Sequence, residues 1–203
     1  IQEASSRALS TGVKIDDIFA MVDRLRTGQD ALNLPLVFMT YLNPIYVYGR
    51  EKFLSRCQEV NISGLIIPDM PFEEKGELQG YAKEHGVDIV SLIAPTSENR
   101  IGMIAKEAQG FIYCVSSLGV TGVRSEIKTD IKSIVDTIRK YTDIPVAVGF
   151  GISTPDQAAA MAKVSDGAIV GSAIVKLVAQ YGDQADQALF DYVQSMKEAV
   201  IKA

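Results

Sequence analysis

The sequence predicts an α/β fold of buried parallel strands alternating with helices, closed as a (β/α)₈ TIM barrel, and three observations predict it. Short β-rich runs alternate with helix-periodic runs through the chain. Most of the strand runs are apolar without polar alternation, as parallel strands covered on both faces are. The last two strand runs end in glycine-rich turns, where barrels of this class commonly bind phosphate.

Taken in order, the first clear element is helical, with Ile15, Ile18, Phe19, Val22 and Leu25 at the helix period. Six strand candidates follow, at residues 36–41, 64–67, 87–93, 111–115, 145–148 and 167–170. A second helical stripe, Ile131, Ile134, Val135 and Ile138, falls between the fourth and fifth of these. Thr154-Pro155-Asp156-Gln157 combines a capping residue, proline at the first helical position and glutamine at the third, so a helix is expected to start there. The final helix carries Leu189, Phe190, Val193, Met196 and Val200 on one face.

Strict βα alternation leaves an open doubly wound sheet or a closed barrel. The phosphate signals favour the barrel, whose phosphate site is built by the loops after strands seven and eight. The last two strand candidates end in Gly149-Phe150-Gly151-Ile152-Ser153 and Gly171-Ser172-Ala173-Ile174-Val175. Glycine there lets backbone N–H groups approach an anion, and the following helix turn adds its dipole. Counted back from these, the six strands are the third to eighth. The chain, 1–203, is then expected to form a single TIM-barrel domain lacking its first two βα units, roughly 50–60 residues at about 30 per unit.

Composition narrows the function classes. The 203 residues are 47% hydrophobic and 22% charged, within the range of ordinary globular domains. Twenty Lys and Arg stand against twenty-five Asp and Glu, and no basic run is available to neutralise a phosphate backbone, so nucleic acid is not an expected partner. Apolar runs are too short to span a bilayer, and the opening Ile1-Gln2-Glu3-Ala4-Ser5 shows no signal pattern, so no membrane association is expected. Cys57 and Cys114 fit neither a disulfide framework nor a metal motif and read as core residues in a reducing, cytoplasmic setting. One histidine, His85, argues against a His-based metal centre or a Ser/His triad; it is expected to be solvated and without a role. Asn61-Ile62-Ser63 matches a glycosylation pattern too common to carry weight.

Five segments in order, Met39-Thr40-Tyr41-Leu42-Asn43-Pro44, Ile67-Pro68-Asp69-Met70-Pro71, Ser116-Ser117-Leu118-Gly119-Val120-Thr121-Gly122 and the two glycine turns above, resemble the successive loop motifs of the tryptophan synthase α-subunit family. The resemblance implies retro-aldol cleavage of indole-3-glycerol phosphate to indole and glyceraldehyde 3-phosphate, a carbon–carbon lyase reaction of tryptophan biosynthesis. It implies no cofactor in this chain. The pyridoxal phosphate is expected in a partner β subunit, in an αββα heterotetramer, with Asn43-Pro44 part of that contact.

In the family a Glu at the end of the second strand and an Asp in the loop after it carry the acid–base chemistry. That Asp precedes a Gly-Pro-(Thr/Val)-Ile-Gln stretch, of which Ile1-Gln2 resembles the end. Both carboxylates would then lie upstream of residue 1. No catalytic residue is expected among these 203, and the chain as given is expected to be inactive alone.

The resemblance assigns substrate binding to Tyr41, Asp69, Tyr113, Thr121 and Phe150, and phosphate binding to Gly122, Gly151, Gly171 and Ser172. Each residue also has a plain structural reading. Asp69 also reads as a turn or helix-cap aspartate, Tyr41 as a rim aromatic, Tyr113 as a buried tyrosine hydrogen-bonded for structural reasons, and Phe150 as packing. Residues 116–128 read as a lid over the substrate or as a surface loop. Two further readings stay open. One is another phosphate-binding barrel, such as phosphoribosylanthranilate isomerase or indole-glycerol-phosphate synthase, against which the Pro68–Pro71 and 116–122 segments argue. The other is a catalytically silent fragment or interaction module.

Overall fold

The structure, a computed structural model, describes residues 1–29, 31–115, 130–149 and 151–203. In chain order the elements are α1 (Gln2–Ser10), α2 (Ile15–Arg26), β1 (Leu36–Met39), α3 (Leu42–Tyr48), α4 (Arg50–Glu59), β2 (Ile62–Ile66), α5 (Gly76–Glu84), β3 (Asp88–Ile89) and β4 (Ser91–Ile93). There follow α6 (Glu98–Lys106), β5 (Ile112–Val115), α7 (Ile131–Arg139), β6 (Val146–Gly149), α8 (Pro155–Ala162), β7 (Gly167–Ala168), α9 (Ser172–Tyr181) and α10 (Asp186–Ile201). Among the described residues, no helix is long and apolar enough to cross a membrane.

All six strand candidates form strands. The run at 87–93 is divided at Val90 into β3 and β4, so β1-β2-β3 make one sheet and β4-β5-β6-β7 another. The pairings of β1 with β2, β2 with β3, β5 with β6, and β6 with β7 are parallel. Within each parallel set the strand C-termini lie on one sheet edge, and the loops that leave them carry the candidate site residues.

The chain divides into two compact units, one of Ile1–Arg7, Leu92–Glu107 and Phe111–Ala203, the other of Ala8–Ser91 and Ala108–Gly110. The core of the second is aromatic and aliphatic. Phe19 of α2 meets Phe38 of β1 edge-on at 5.6 Å and Phe53 of α4 at 5.4 Å, with Leu54, Cys57, Leu65 and Leu78 packed in the same buried cluster. Offset and edge-on rings avoid stacking like charge on like, so such contacts add to the burial. The α2 stripe is only half used: Phe19 and Val22 are buried, while Ile18 and Leu25 are exposed.

In the first unit Ile112 and Cys114 of β5, Val146 and Val148 of β6, and Val135 and Ile138 of α7 are fully buried. Helix α8 starts with the expected capping box: the Thr154 hydroxyl accepts from the Gln157 N–H, and the Gln157 amide oxygen accepts from the Thr154 N–H. Helix α10 departs from the expected single face. Met196 is buried in a small cluster with Ile152 and Ala158, whereas Phe190 is 64% exposed and Val193 is exposed too.

His85 is not solvated. Its side chain is 14% exposed, with Nδ1 2.9 Å from Oε1 of Gln58 and Nε2 3.0 Å from Oε1 of Glu51, so it ties the end of α5 to α4. The capping position after α5 puts the ring beside α4, which sequence distance conceals. Cys57 and Cys114 are core residues, free and buried, and burial pushes both thiols up to about 12.

Candidate functional site

Tyr41 and Asp69 stand in the loops that leave β1 and β2. Tyr41 is the capping residue of α3, extended at φ −74° and ψ 162°, and its side chain is 65% exposed. Its side chain supplies no cap bond to the helix. That acceptor comes from Asp69, whose Oδ1 and Oδ2 lie 3.0 and 3.3 Å from the Leu42 amide nitrogen. Asp69 is held in turn: the Met70 N–H donates to the Ile67 carbonyl at 3.2 Å, closing a turn with Pro68 at its second position. Of the two readings of Asp69, the cap is therefore present in the structure.

Tyr113 lies in β5 opposite Ala147 of β6 and is 5% exposed. Its phenol crosses the next pair, Val115 and Gly149, so closely that a Cβ on Gly149 would sit 2.3 Å from the tyrosine Oη. The glycine at the end of β6 is thus a steric requirement of the tyrosine. Burial pushes the phenol's pKa up, so it acts as a neutral hydrogen-bonding group. The Tyr113 hydroxyl makes no hydrogen bond to a described residue.

The glycine turns follow β6 and β7. Gly151 takes φ +84°, in the region that favours glycine. Gly171 precedes α9, and a Cβ built on it would meet nothing within 4 Å, so space is open at the helix start. Gly171, at the cap position of α9, has no side chain to cap the helix, and among the described residues no side chain bonds its first-turn N–H groups, which begin at Ser172. Thr121, Gly122 and Phe150, with most of the candidate lid at 116–128, lie outside the described residues. Among the described residues no group of three or more His, Cys, Asp or Glu could hold a metal.

A cleft of about 650 Å³ on the helices of the second unit, lined by Tyr46, Arg50, Lys52, Ser55 and Tyr81, was not legible in the sequence. Its guanidinium is already engaged. Arg50 lies over the Tyr46 and Tyr81 rings at 5.1 and 5.5 Å and pairs with Glu77 at 2.8 Å, which leaves little charge for a ligand.

Comparison with known proteins decides the family. The model of the tryptophan synthase alpha chain matches residues 1–201. The chain belongs to the tryptophan synthase alpha chain family. The tryptophan synthase alpha chain of Lacticaseibacillus casei is 46% identical over 200 residues, which are 98% of this chain and 74% of that one. The Campylobacter jejuni tryptophan synthase subunit alpha superposes with a TM-score of 0.80 at 35% identity, over 91% of this chain and 73% of that chain. A chain of the Pyrococcus furiosus tryptophan synthase α2β2 complex does so with a TM-score of 0.83 at 31% identity, over 97% and 78%. The family fold is an α/β TIM barrel with parallel strands, and the parallel pairing of both sheets agrees with it. As a tryptophan synthase alpha chain, it has its function in tryptophan biosynthesis, in a lyase-type reaction.

Proposed function

We propose that the chain binds indole-3-glycerol phosphate for retro-aldol cleavage to indole and glyceraldehyde 3-phosphate, supplying the third to eighth βα units of a single barrel domain. The observation that carries this reading is the family match over residues 1–201, and beside it stands the Tyr113 phenol, packed in β5 against a glycine that tolerates no side chain.

In this reading the family's substrate contacts are assigned to Tyr41, Asp69, Tyr113, Thr121 and Phe150. The phosphate contacts are assigned to Gly122, Gly151, Gly171 and Ser172, the last two at the start of α9, whose dipole favours an anion. The carbon–carbon bond breaks when indole C3 gains a proton and a glycerol hydroxyl loses one. The electrons of the broken bond return to the ring, and the deprotonated oxygen becomes the aldehyde. That requires an acid and a base on one substrate. In this reading the acid and the base are the family's Glu and Asp, and none of the residues named above moves those protons.

The reading gives this chain no cofactor and pairs it with a tryptophan synthase β subunit that carries pyridoxal phosphate, in an αββα assembly. The α2β2 complex of the Pyrococcus relative supports that pairing. Two free buried cysteines fit a cytoplasmic setting. The test is calorimetric titration with indole-3-glycerol phosphate, then a cleavage assay with and without β subunit, with intact mass recorded. Saturable binding competed by inorganic phosphate is the expected result; no binding would sink the reading.

A further inference from the structure

Asp69 is exposed, and among the described residues its carboxylate accepts from one group, the amide of Leu42, 27 residues away in the chain. Leu42 is the first residue of α3, the residue before it is Tyr41, and Tyr41 gives the helix no cap of its own. An uncapped first-turn N–H tends to fray, and a carboxylate from a neighbouring loop both satisfies it and complements the helix dipole. The acceptor is itself rigid. Pro68 and Pro71 flank the loop, and the Ile67–Met70 turn fixes where the carboxylate points.

We propose that Asp69 is a positioning residue. Its carboxylate, by accepting the Leu42 N–H, fixes the turn that presents Tyr41 to the substrate, and it does not itself bind the substrate. This deepens the proposed function and rests on that reading of the Tyr41 end of the pocket. An aspartate that accepts from the backbone in this way contributes to the shape of the loop. Its removal should therefore loosen the loop and weaken binding together.

The test measures affinity for indole-3-glycerol phosphate on the full chain and on Asp69→Ala, Asp69→Asn and Leu42→Pro, and hydrogen exchange at the Leu42 amide on all but the last. Asp69→Ala is expected to speed exchange and weaken binding by about tenfold each, the scale of one charge-assisted hydrogen bond. Asp69→Asn keeps an oxygen acceptor and holds both within about twofold. Leu42→Pro removes the donor at a position where proline is accepted, after a residue already extended, and should weaken binding as Asp69→Ala does. Combining it with Asp69→Ala should add nothing further.

Weaker binding in Asp69→Ala with unchanged Leu42 exchange, or additive losses in the double variant, would overturn the inference, because Asp69 would then touch the ligand. If Asp69→Ala does not fold, weakened binding in Asp69→Asn beside intact binding in Leu42→Pro overturns it equally. Failure of the unsubstituted chain to bind counts against the proposed function instead, and the positioning role then stands or falls on the exchange rates.

Discussion

At the scale of single residues, the tightest constraint is the contact between Tyr113 and Gly149. A Cβ at 149 would overlap the phenol at 2.3 Å, so Gly149→Ala must push the ring or bend β6. The expected loss is about 1–3 kcal/mol of unfolding free energy by urea titration, with weaker substrate binding from the displaced hydroxyl. Gly149→Ala with Tyr113→Phe should regain little, because the overlap begins at the ring carbon, 2.5 Å away. The buried thiols give a pH dependence. Their folded values of about 12 lie above the ordinary thiol value of about 8.5, so the neutral form is favoured on folding. Stability from this source is complete below about pH 8.5 and falls as pH rises toward 12, by about 1.4 kcal/mol per thiol per unit. Denaturant titrations at pH 8 and pH 10 measure it, and Ellman's reagent at pH 8 should find both thiols unreactive until the chain is unfolded.

At the scale of elements, the capping box of α8 governs the loop that carries Gly151. The Gln157 amide oxygen accepts from the Ser153 N–H at 2.8 Å as well as from the Thr154 N–H, so cap and glycine turn form one hydrogen-bonded unit. Thr154→Ala is expected to cost about 1 kcal/mol by urea titration and to loosen phosphate binding at the same time. This box was legible because all its parts lie within four residues. The strands were legible for a related reason, since a strand buried on both faces writes its burial as an uninterrupted apolar run, as Ile112–Val115 does. The break at Val90 was not, because where one sheet stops and the next begins depends on partners in space. His85 and Asp69 show the same limit. The imidazole finds Gln58 and Glu51 at 27 and 34 residues' distance, and the carboxylate finds its amide 27 residues away, so no local pattern announces either bond. Helix α10 was misread in part because periodicity gives the apolar face and not what covers it.

At the scale of the whole molecule, charge and exposed apolar surface act together. The net charge is −5 at pH 7 and the isoelectric point is about 5.0, while Phe190, Val193, Ile18 and Leu25 remain exposed. Mutual repulsion is what keeps such surfaces apart, so solubility should pass through a minimum near pH 5 and recover on either side. The soluble fraction after ultracentrifugation across pH 4–8 is the measurement, and a flat profile would show that the exposed side chains do not drive association. The pair at 113 and 149 also carries a lesson about descent. Two positions 36 apart in sequence share the room for one side chain, so the order of change matters. A lineage that gains any side chain at 149 has first to give up the large one at 113, and the hydroxyl with it; among descendants of this chain a side chain at 149 should appear only where 113 is already small.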